Sequence, residues 1–203
     1  MIRLEPEPRS TGQWLTEAEA GRLIHAAPAH LQPVIQFALA TGLRKGNILG
    51  LRWAQVDFAR RQLRVHPDQA KSGRAIGIPL NALAMQVLNG CRGQHPEVVF
   101  TVEGRPYRWI DHRTWQTVCQ KAGLLGIRFH DLRHTWASWL AQAGVDPQHL
   151  KTLGGWSTLA VVERYSHLNV EHLRAAADHI PKTFSLQGEM IDFNEARKCR
   201  ARR

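Results

Sequence analysis

The sequence predicts a mainly α-helical α+β fold with one small three-stranded antiparallel β-sheet. Helical stretches, marked by caps and chain breaks, occur before Trp53 and again after Pro79. Between Trp53 and Leu80 the pattern changes to short β-like runs that polar residues separate. We therefore expect a mostly helical architecture that contains a single small sheet.

The first helices are recognised by the residues at their ends. Thr16 and Glu19 form a capping box, because Thr16 can cap the amide of Glu19 while the Glu19 side chain reaches back. Gly42 follows the second helical stretch, at a position typical of a helix end. The helices predicted in this part are 16–27, 30–40 and 44–51.

The strands and the remaining helices follow in order along the chain. The three β-like runs are Val56-Asp57-Phe58, Leu63-Arg64-Val65 and Ala75-Ile76-Gly77-Ile78. After Pro79 the predicted helices are roughly 81–90, 109–122, 130–143, 147–153, 158–165 and 170–178. Gly144 and the Asp146-Pro147 pair separate two of these helices.

Length and composition are those of a folded domain. The 203 residues are 43% hydrophobic and 22% charged, which is close to globular averages and excludes wholesale disorder. Apolar runs are far shorter than the roughly 18 residues of a membrane span. The N-terminal residues lack the apolar stretch of a secretory signal. We expect a cytoplasmic protein without a membrane partner.

The charge balance is the most informative part of the composition. Lysine and arginine together number 27 against 17 acidic residues, which gives a net charge of +10. An excess of this size favours a polyanionic partner, and nucleic acid is the first expectation. The alternative is a solvated basic surface that has no specific partner.

The cysteines and histidines predict neither a metal site nor a redox site. Cys91, Cys119 and Cys199 are widely spaced, form no CxxC pair, and are interpreted as reduced thiols of a cytosolic protein. The eleven histidines lack the ligand spacing of a structural zinc site. We expect no metal ion and no other cofactor.

Two basic side chains lie beside predicted breaks in the chain. Arg44 follows Gly42 and begins the next helical turn, where its guanidinium and nearby amides could bind an anion. Lys71 lies next to Ser72-Gly73 at a predicted hairpin tip, from which it could deliver a proton or a positive charge. The alternatives are an ordinary surface arginine and a solvated turn lysine.

The segment from Phe129 to Ser138 concentrates polar residues within an apolar context. His130 and Arg133 share one helix face at i,i+3, and both can donate hydrogen bonds to phosphate oxygens. In a rival interpretation His130 and His134, at i,i+4, ligate a metal ion. The pattern disfavours it, because Asp131 and Arg133 break the HExxH motif of zinc proteases.

A glycine-rich segment precedes one of the two tyrosines in the chain. Leu153-Gly154-Gly155-Trp156 leads to Tyr165, near the end of a predicted helix and among polar neighbours. The alternative for Tyr165 is an amphipathic aromatic residue at the surface.

Taken together, these segments resemble the catalytic domain of the tyrosine recombinase (phage integrase) family, from about Trp14 to about Ala177. TGLR with the following LRW looks like the first arginine box, and HDLRH looks like the HxxR box. LGGW looks like the segment before the nucleophile, and Lys71 upstream of IGIPL looks like the hairpin lysine. The resemblance implies the recombinase catalytic-domain fold and six active positions: Arg44, Lys71, His130, Arg133, Trp156 and Tyr165.

The resemblance also implies a reaction, namely site-specific recombination or integration of double-stranded DNA without metal or ATP. Tyr165 would attack the scissile phosphate, forming a 3′-phosphotyrosine and freeing a 5′-hydroxyl. The two arginines would neutralise the phosphate oxygens, and Lys71 would protonate the leaving oxygen. His130 would assist proton transfer at Tyr165 or bind phosphate. Trp156 can only donate its indole N–H and pack.

The resemblance carries expectations about organisation and partners as well. We expect a linker over 1–12, a catalytic domain over 13–180 and a basic tail over 181–203, with the family's N-terminal core-binding domain absent. A tetramer on DNA and a monomer in solution are expected. Asn47 replaces an acidic residue that many members carry, which affects the fine geometry of the site. The alternatives are a catalytically idle or truncated DNA-binding remnant and a DNA-relaxing topoisomerase.

Overall fold

The computed structural model describes residues 13–65, 76–165, 183–186 and 189–192. The predicted linker 1–12, the hairpin lysine Lys71 and the predicted helix 170–178 lie outside the described residues. The chain divides into two compact units, Met1–Leu168 and Asn169–Arg203.

Helices dominate the first unit, as the sequence predicts. The capping box at Thr16 and Glu19 is present and begins the first helix. No helix in the described part of the chain is both long and apolar enough to cross a membrane. The helices are α1 Glu17–Ala26, α2 Gln32–Thr41, α3 Lys45–Leu49, α4 Ala82–Gly90, α5 His112–Lys121, α6 Asp131–Gln142, α7 Pro147–Gly154 and α8 Ala160–Glu163.

Several helices are shorter than their predicted ranges, and the difference is largest for α5 and α8. Helix α5 begins at His112 and not at 109, because the Asp111 side chain caps it by accepting a hydrogen bond from the Thr114 amide. Trp109, which the prediction placed in the helix, is 72% exposed. Helix α8 ends at Glu163, so Tyr165 lies just beyond the helix that was expected to contain it.

The predicted three-stranded antiparallel sheet is confirmed. Its strands β1 (Val56–Asp57), β2 (Gln62–Val65) and β3 (Ile76–Pro79) lie in the order β1-β2-β3. Leu63 is paired with Val56 on one side and with Ile78 on the other. The Leu63 and Ile78 side chains are buried, so this face of the sheet packs into the core.

A second hairpin in the first unit is absent from the sequence prediction. Strands β4 (Thr101–Val102) and β5 (Arg105–Pro106) pair antiparallel around a tight turn. Both turn residues have positive φ, 52° at Glu103 and 73° at Gly104. Strands of two residues are too short to show the alternation by which a strand is recognised in a sequence.

The described part of the second unit is an antiparallel hairpin. Strands β6 (Thr183–Leu186) and β7 (Glu189–Asp192) pair in register from Thr183 with Asp192 to Leu186 with Glu189. The sequence prediction treats this stretch only as part of a basic tail and contains no strands there. The alternation of polar and apolar residues in Thr183–Leu186 is a strand signal that is missed when the stretch is grouped with the basic residues that follow it.

The core of the first unit surrounds α2, whose residues from Phe37 to Thr41 are all buried. Helix α2 packs against both α4 and α6. A smaller buried cluster lies apart from this main core and is formed by α6, α7 and the region of α8. Its members are Trp136, Ala137, Ala141, Leu150, Val162 and Tyr165.

Candidate functional site

Arg133 is a buried arginine on α6 whose charge is held by main-chain carbonyls. Its side chain is only 6% exposed. One terminal nitrogen donates to the Gly42 carbonyl oxygen at 2.6 Å, and the other donates to the Gly154 carbonyl oxygen at 2.5 Å. The guanidinium carbon lies 4.4 Å from the centre of the Trp156 ring. We call Arg133 with the Gly42 and Gly154 carbonyls and the Trp156 ring the arginine socket.

Glycine is required at both carbonyl positions of the arginine socket. Gly42 ends α2 with a left-handed φ of 63°, and a Cβ atom there would overlap the Trp136 ring. A Cβ atom at Gly154, at the end of α7, would overlap the Trp156 ring. The glycines of TGLR and LGGW therefore allow two helix ends to approach aromatic rings while their carbonyls point at Arg133.

The arginine socket concentrates positive charge. Burial, together with the nearby Arg44 guanidinium, lowers the pKa of Arg133 to about 10. The group still carries its charge at neutral pH. Arg44 is half-buried and is the N-cap residue of α3, close enough for the two cations to interact. Two cations that repel each other in a partly buried site favour the binding of an anion.

The first turn of α6 carries a histidine pair and a buried carboxylate. The His130 and His134 rings meet edge to face, with their centroids 5.1 Å apart. Asp131 is 2% exposed and forms an ion pair with Arg128 at 2.9 Å. Burial lowers the pKa of both His130 and His134, so both rings favour the neutral form.

Tyr165 is buried, with only 5% of its surface exposed, and is not the surface aromatic of the alternative interpretation. Its hydroxyl oxygen lies 2.5 Å from Nδ1 of His134. Burial raises the pKa of the Tyr165 phenol, while the charges of Arg164 and Arg133 oppose this increase. The hydroxyl therefore keeps its proton at neutral pH and lies within reach of both a cation and a hydrogen-bond acceptor.

Trp156 connects the arginine socket with Tyr165. Its ring lies over the Arg133 guanidinium, and its centroid is 6.2 Å from that of Tyr165 and 6.1 Å from that of Trp136. A cation over an indole ring is stabilised by the ring's electrons. Trp156 thus packs between the cation and the phenol, in line with the packing role expected from the sequence.

Five of the six predicted active positions lie in the described part of the chain. Arg44, Arg133, Trp156 and Tyr165 are linked by the contacts and charge interactions given above, and the charges of Arg133 and Arg44 also act on His130. Lys71 lies outside the described residues, so its predicted role stays a prediction. Asn47 is half-buried in α3, next to the helix end that carries Arg44.

His134 is the residue of this site that sequence reasoning missed. The sequence raises it only as a metal ligand at i,i+4 from His130, and the proton-transfer role falls to His130. The structure places His134 on the Tyr165 hydroxyl. The signal is present in HDLRH, because positions four apart share a helix face just as positions three apart do.

The described residues contain no cluster of potential metal ligands, and the cysteines among them are buried. Within residues 13–65, 76–165 and the β6–β7 strands, no group of three or more His, Cys, Asp or Glu side chains could hold a metal ion. Cys91 and Cys119 are buried free thiols. Burial raises the pKa of both, that of Cys119 to about 11, so both remain protonated.

Comparison with known proteins gives one consistent result. Residues 13–172 match the model of the phage integrase family. The integrase of Salmonella phage P22 is 40% identical over 193 residues, which are 88% of this chain and 50% of the phage protein. The chain therefore spans about half the length of that curated relative.

Solved structures share the fold. The integrase of transposon Tn1549, in complex with a circular intermediate DNA, matches with a TM-score of 0.71 and 20% identity, over 87% of this chain and 68% of that one. The catalytic domain of bacteriophage HP1 integrase matches with a TM-score of 0.62 and 22% identity, over 83% of this chain and 95% of that domain. These matches confirm the predicted fold class.

Proposed function

We propose that this chain, which belongs to the phage integrase family, cleaves and rejoins double-stranded DNA at specific sites through a covalent bond to Tyr165. The observation that carries this function is the buried Tyr165 hydroxyl, placed beside the arginine socket on one side and a neutral histidine on the other. An attacking oxygen, cations for a phosphate and an acceptor for a proton are the groups that phosphoryl transfer to a tyrosine requires.

DNA as the substrate is supported by two independent observations. The net charge of +10 favours a polyanionic partner. The Tn1549 integrase, which shares the fold, was solved with DNA bound. The relatives described above are integrases, which supports recombination over simple relaxation of supercoiled DNA.

In the proposed cleavage step the Tyr165 oxygen forms a bond to the scissile phosphorus while the bond from phosphorus to the 5′-oxygen breaks. The 3′ end becomes a phosphotyrosine, and the 5′-oxygen takes a proton and leaves as a hydroxyl. We assign that proton to Lys71, as the resemblance implies. Rejoining reverses the step when the 5′-hydroxyl of a partner strand attacks the phosphotyrosine.

The two arginines act on the charge of the transition state. Negative charge gathers on the non-bridging phosphate oxygens as the Tyr165 oxygen attacks, and fixed guanidinium groups stabilise it without rearranging. Arg133 suits this role because its carbonyl partners and the Trp156 ring already fix its orientation. Arg44 supplies the second cation, and His130 supplies a further N–H for a phosphate oxygen.

Assembly and compartment complete the proposal. Exchange of strands between two DNA sites requires four active sites, so we propose a tetramer on DNA and a monomer in solution. Light scattering on the free protein should give the mass of one chain, and a stable tetramer without DNA would contradict this assembly. We place the protein in the cytoplasm, where the buried thiols Cys91 and Cys119 stay reduced.

Covalent capture on DNA tests the function directly. The full chain is incubated with a pool of nicked duplexes of random sequence, on which cleavage traps the covalent intermediate, and adducts are resolved on denaturing gels. Wild-type protein should give adducts that are enriched for particular sequences. A lack of sequence enrichment would instead favour a relaxing topoisomerase.

Tyr107 provides the matched control for the nucleophile. It is also a buried tyrosine, with its ring edge against His30 and no contact with Arg133 or Trp156 among the ring contacts of the described residues. Tyr165→Phe should abolish the adduct and leave DNA binding intact, whereas Tyr107→Phe should retain the adduct. An adduct that persists in Tyr165→Phe would overturn the assignment of the nucleophile.

A further inference from the structure

We propose that His134 accepts the phenolic proton of Tyr165 during cleavage and returns it during rejoining. This role rests on the proposed function, since it concerns the same tyrosine. His134 is not among the six predicted active positions, and none of their predicted roles in the reaction is given to it. The geometry points to it through one contact and through the state of the two groups that make it.

The contact joins the reacting oxygen of Tyr165 to a ring nitrogen. The Tyr165 oxygen and Nδ1 of His134 are 2.5 Å apart, which is shorter than a normal hydrogen bond between nitrogen and oxygen. Their ring centroids are 6.1 Å apart and the planes are inclined by 41°. Within the described residues, no other side chain forms a hydrogen bond with this hydroxyl.

The direction of the hydrogen bond follows from the protonation states. The Tyr165 phenol keeps its proton, because burial raises its pKa above the usual value. The pKa of His134 is lowered by burial and by His130, so its ring is neutral and can offer a lone pair. The phenol O–H therefore donates to Nδ1, and the ring hydrogen of His134 is on Nε2.

The charged groups around His134 determine how readily it takes the proton. From α6 and the residues before it, His134 is faced by His130, Asp131 and Arg128. From the end of α8 it is faced by Arg164 and Tyr165. Asp131 favours the imidazolium that forms on proton transfer, while Arg128 and Arg164 disfavour it. His134 is therefore a base that is neutral at rest, with a carboxylate nearby to stabilise its charged form.

The helix that carries His134 is fixed on both sides of it. Arg133 is bound to the carbonyls of Gly42 and Gly154, and the Thr135 hydroxyl accepts a hydrogen bond from the Leu15 amide. Both neighbours are buried, so α6 cannot turn about its axis without breaking these bonds. The position of the His134 ring is thus set before any DNA arrives.

Each direction of the reaction moves one proton at Tyr165 and exchanges one phosphorus–oxygen bond for another. In cleavage the Tyr165 O–H bond breaks, an N–H bond forms at Nδ1 of His134, and the Tyr165 oxygen bonds to phosphorus. In the same step the bond from phosphorus to the 5′-oxygen breaks, and that oxygen receives a proton from the Lys71 ammonium, the donor assigned under the proposed function. In rejoining, the attack of the 5′-hydroxyl releases the Tyr165 oxygen, which takes the proton back from Nδ1.

Cleavage rates of two variants test the role. His134→Ala removes the base, and His134→Gln keeps a polar group that cannot take a proton at neutral pH. The matched control is His25→Ala, which changes an exposed histidine in the last turn of α1. We expect both His134 variants to cleave nicked duplex about 10²- to 10³-fold more slowly than wild type, with unchanged DNA affinity, while His25→Ala cleaves normally.

Two further readouts separate proton transfer from mere positioning. Free imidazole should restore cleavage by His134→Ala and should have no effect on His134→Gln or on wild type. In a Tyr107→Phe background, 3-fluorotyrosine at position 165 makes the phenol more acidic, and it should reduce the defect of His134→Ala. Absence of both effects would show that His134 only positions Tyr165 and would overturn the proposal.

The outcomes also separate this proposal from the function on which it rests. Normal cleavage by both His134 variants, with adducts still lost in Tyr165→Phe, overturns the role of His134 and leaves the nucleophile in place. An adduct that persists in Tyr165→Phe overturns both, because the proton would then belong to a residue that does not react. If His134→Ala lowers the melting temperature, the cleavage rate of His134→Gln is compared with that of wild type under conditions where both proteins are fully folded, and this comparison decides the result.

Discussion

The side chains of Arg133 and Tyr165 are held in place by very different contacts. Arg133 is bound by two main-chain carbonyls that belong to the ends of α2 and α7. Tyr165 follows a helix of only four residues and has one side-chain hydrogen bond to its hydroxyl. Helix α2 belongs to the main core, whereas Tyr165 belongs to the small separate cluster.

This difference divides the site into a fixed half and an adjustable half. Carbonyl acceptors remain when a side chain is replaced, so the geometry around Arg133 is fixed by the backbone itself. The placement of Tyr165 depends on a few side chains and one short helix, and rearranging them requires little free energy. Under the proposed function, the half that would bind phosphate is therefore held by the backbone, and the placement of Tyr165 is the half that can rearrange when DNA binds.

The largest expected effect comes from breaking the fixed half at its centre. Arg133→Lys removes the planar fork that satisfies two carbonyls, so cleavage should fall about 10²- to 10³-fold, as for loss of an oxyanion donor. Stability should also fall by about 1–3 kcal/mol, because buried acceptors lose their partners. Single-turnover cleavage and urea denaturation measure the two quantities.

Arg44→Lys is the control for this prediction. Arg44 is half-buried at the start of α3. Arg44→Lys should therefore raise the activation free energy of cleavage by several kcal/mol at most, and it should leave the free energy of unfolding nearly unchanged. Equal losses of stability in both variants would show that the hydrogen bonds from Arg133 to the two backbone carbonyls do not stabilise the fold.

The next largest effect is a loss of stability at the end of α2, where the Gly42 carbonyl accepts a hydrogen bond from Arg133. Gly42→Ala places a Cβ on the Trp136 ring at a left-handed residue, so stability should fall by about 2–4 kcal/mol. Gly21→Ala is the matched control, since Gly21 lies within α1 with nothing near its Cβ position. It should gain roughly 0.5–1 kcal/mol. Chemical denaturation of both variants checks the opposite signs.

A smaller effect distinguishes the two buried clusters. Val162→Ala in the small cluster and Val34→Ala in α2 remove the same atoms from fully buried positions. Each should cost about 1–3 kcal/mol locally. Val162→Ala should speed hydrogen exchange only in α7 and α8, while Val34→Ala should speed it in α2 and its neighbours. Equal acceleration throughout the first unit would mean that the two halves unfold together.

The smallest expected effect is a dependence of stability on pH. The folded-state pKa values of His130 and His134 lie below 6.5, so the unfolded chain binds more protons at low pH. The contribution of these histidines to the free energy of unfolding therefore decreases as the pH falls below about 6.5. His134→Gln should weaken this decrease between pH 7 and pH 5, and thermal melting measures it. An unchanged slope would place the pH dependence elsewhere.

Much of the fold is predictable because its signals are local. The capping box at Thr16, the helix end at Gly42 and the β-like runs around Leu63 each depend on neighbours in the chain. The hairpins β4–β5 and β6–β7 escape prediction, because one has strands of two residues and the other is grouped with the basic run that follows it. Short-range patterns identify helices well and very short strands poorly.

The site is predictable in its residues and less so in its contacts. The resemblance of the HDLRH and LGGW segments to recombinase motifs predicts Arg133, Trp156 and Tyr165 as site residues, and the structure places these three side chains together. The carbonyls that bind Arg133 cannot be found in this way, because Gly42 is 91 residues and Gly154 is 21 residues away from it along the chain. The contact of His134 with Tyr165 likewise depends on how the chain after α8 packs on α6, which no local pattern contains.

Arg133 and His134 are consecutive residues of one helix, and this has a consequence for how such a protein can change. Each residue in an α-helix advances by about 100° around the axis, so a single insertion or deletion between 130 and 134 would turn one group away from the site. Loops and surface residues elsewhere are under no such restriction. Under the proposed function, surface residues are therefore free to vary with the DNA sequence that is bound, while the spacing of Arg133 and His134 on α6 has to be kept.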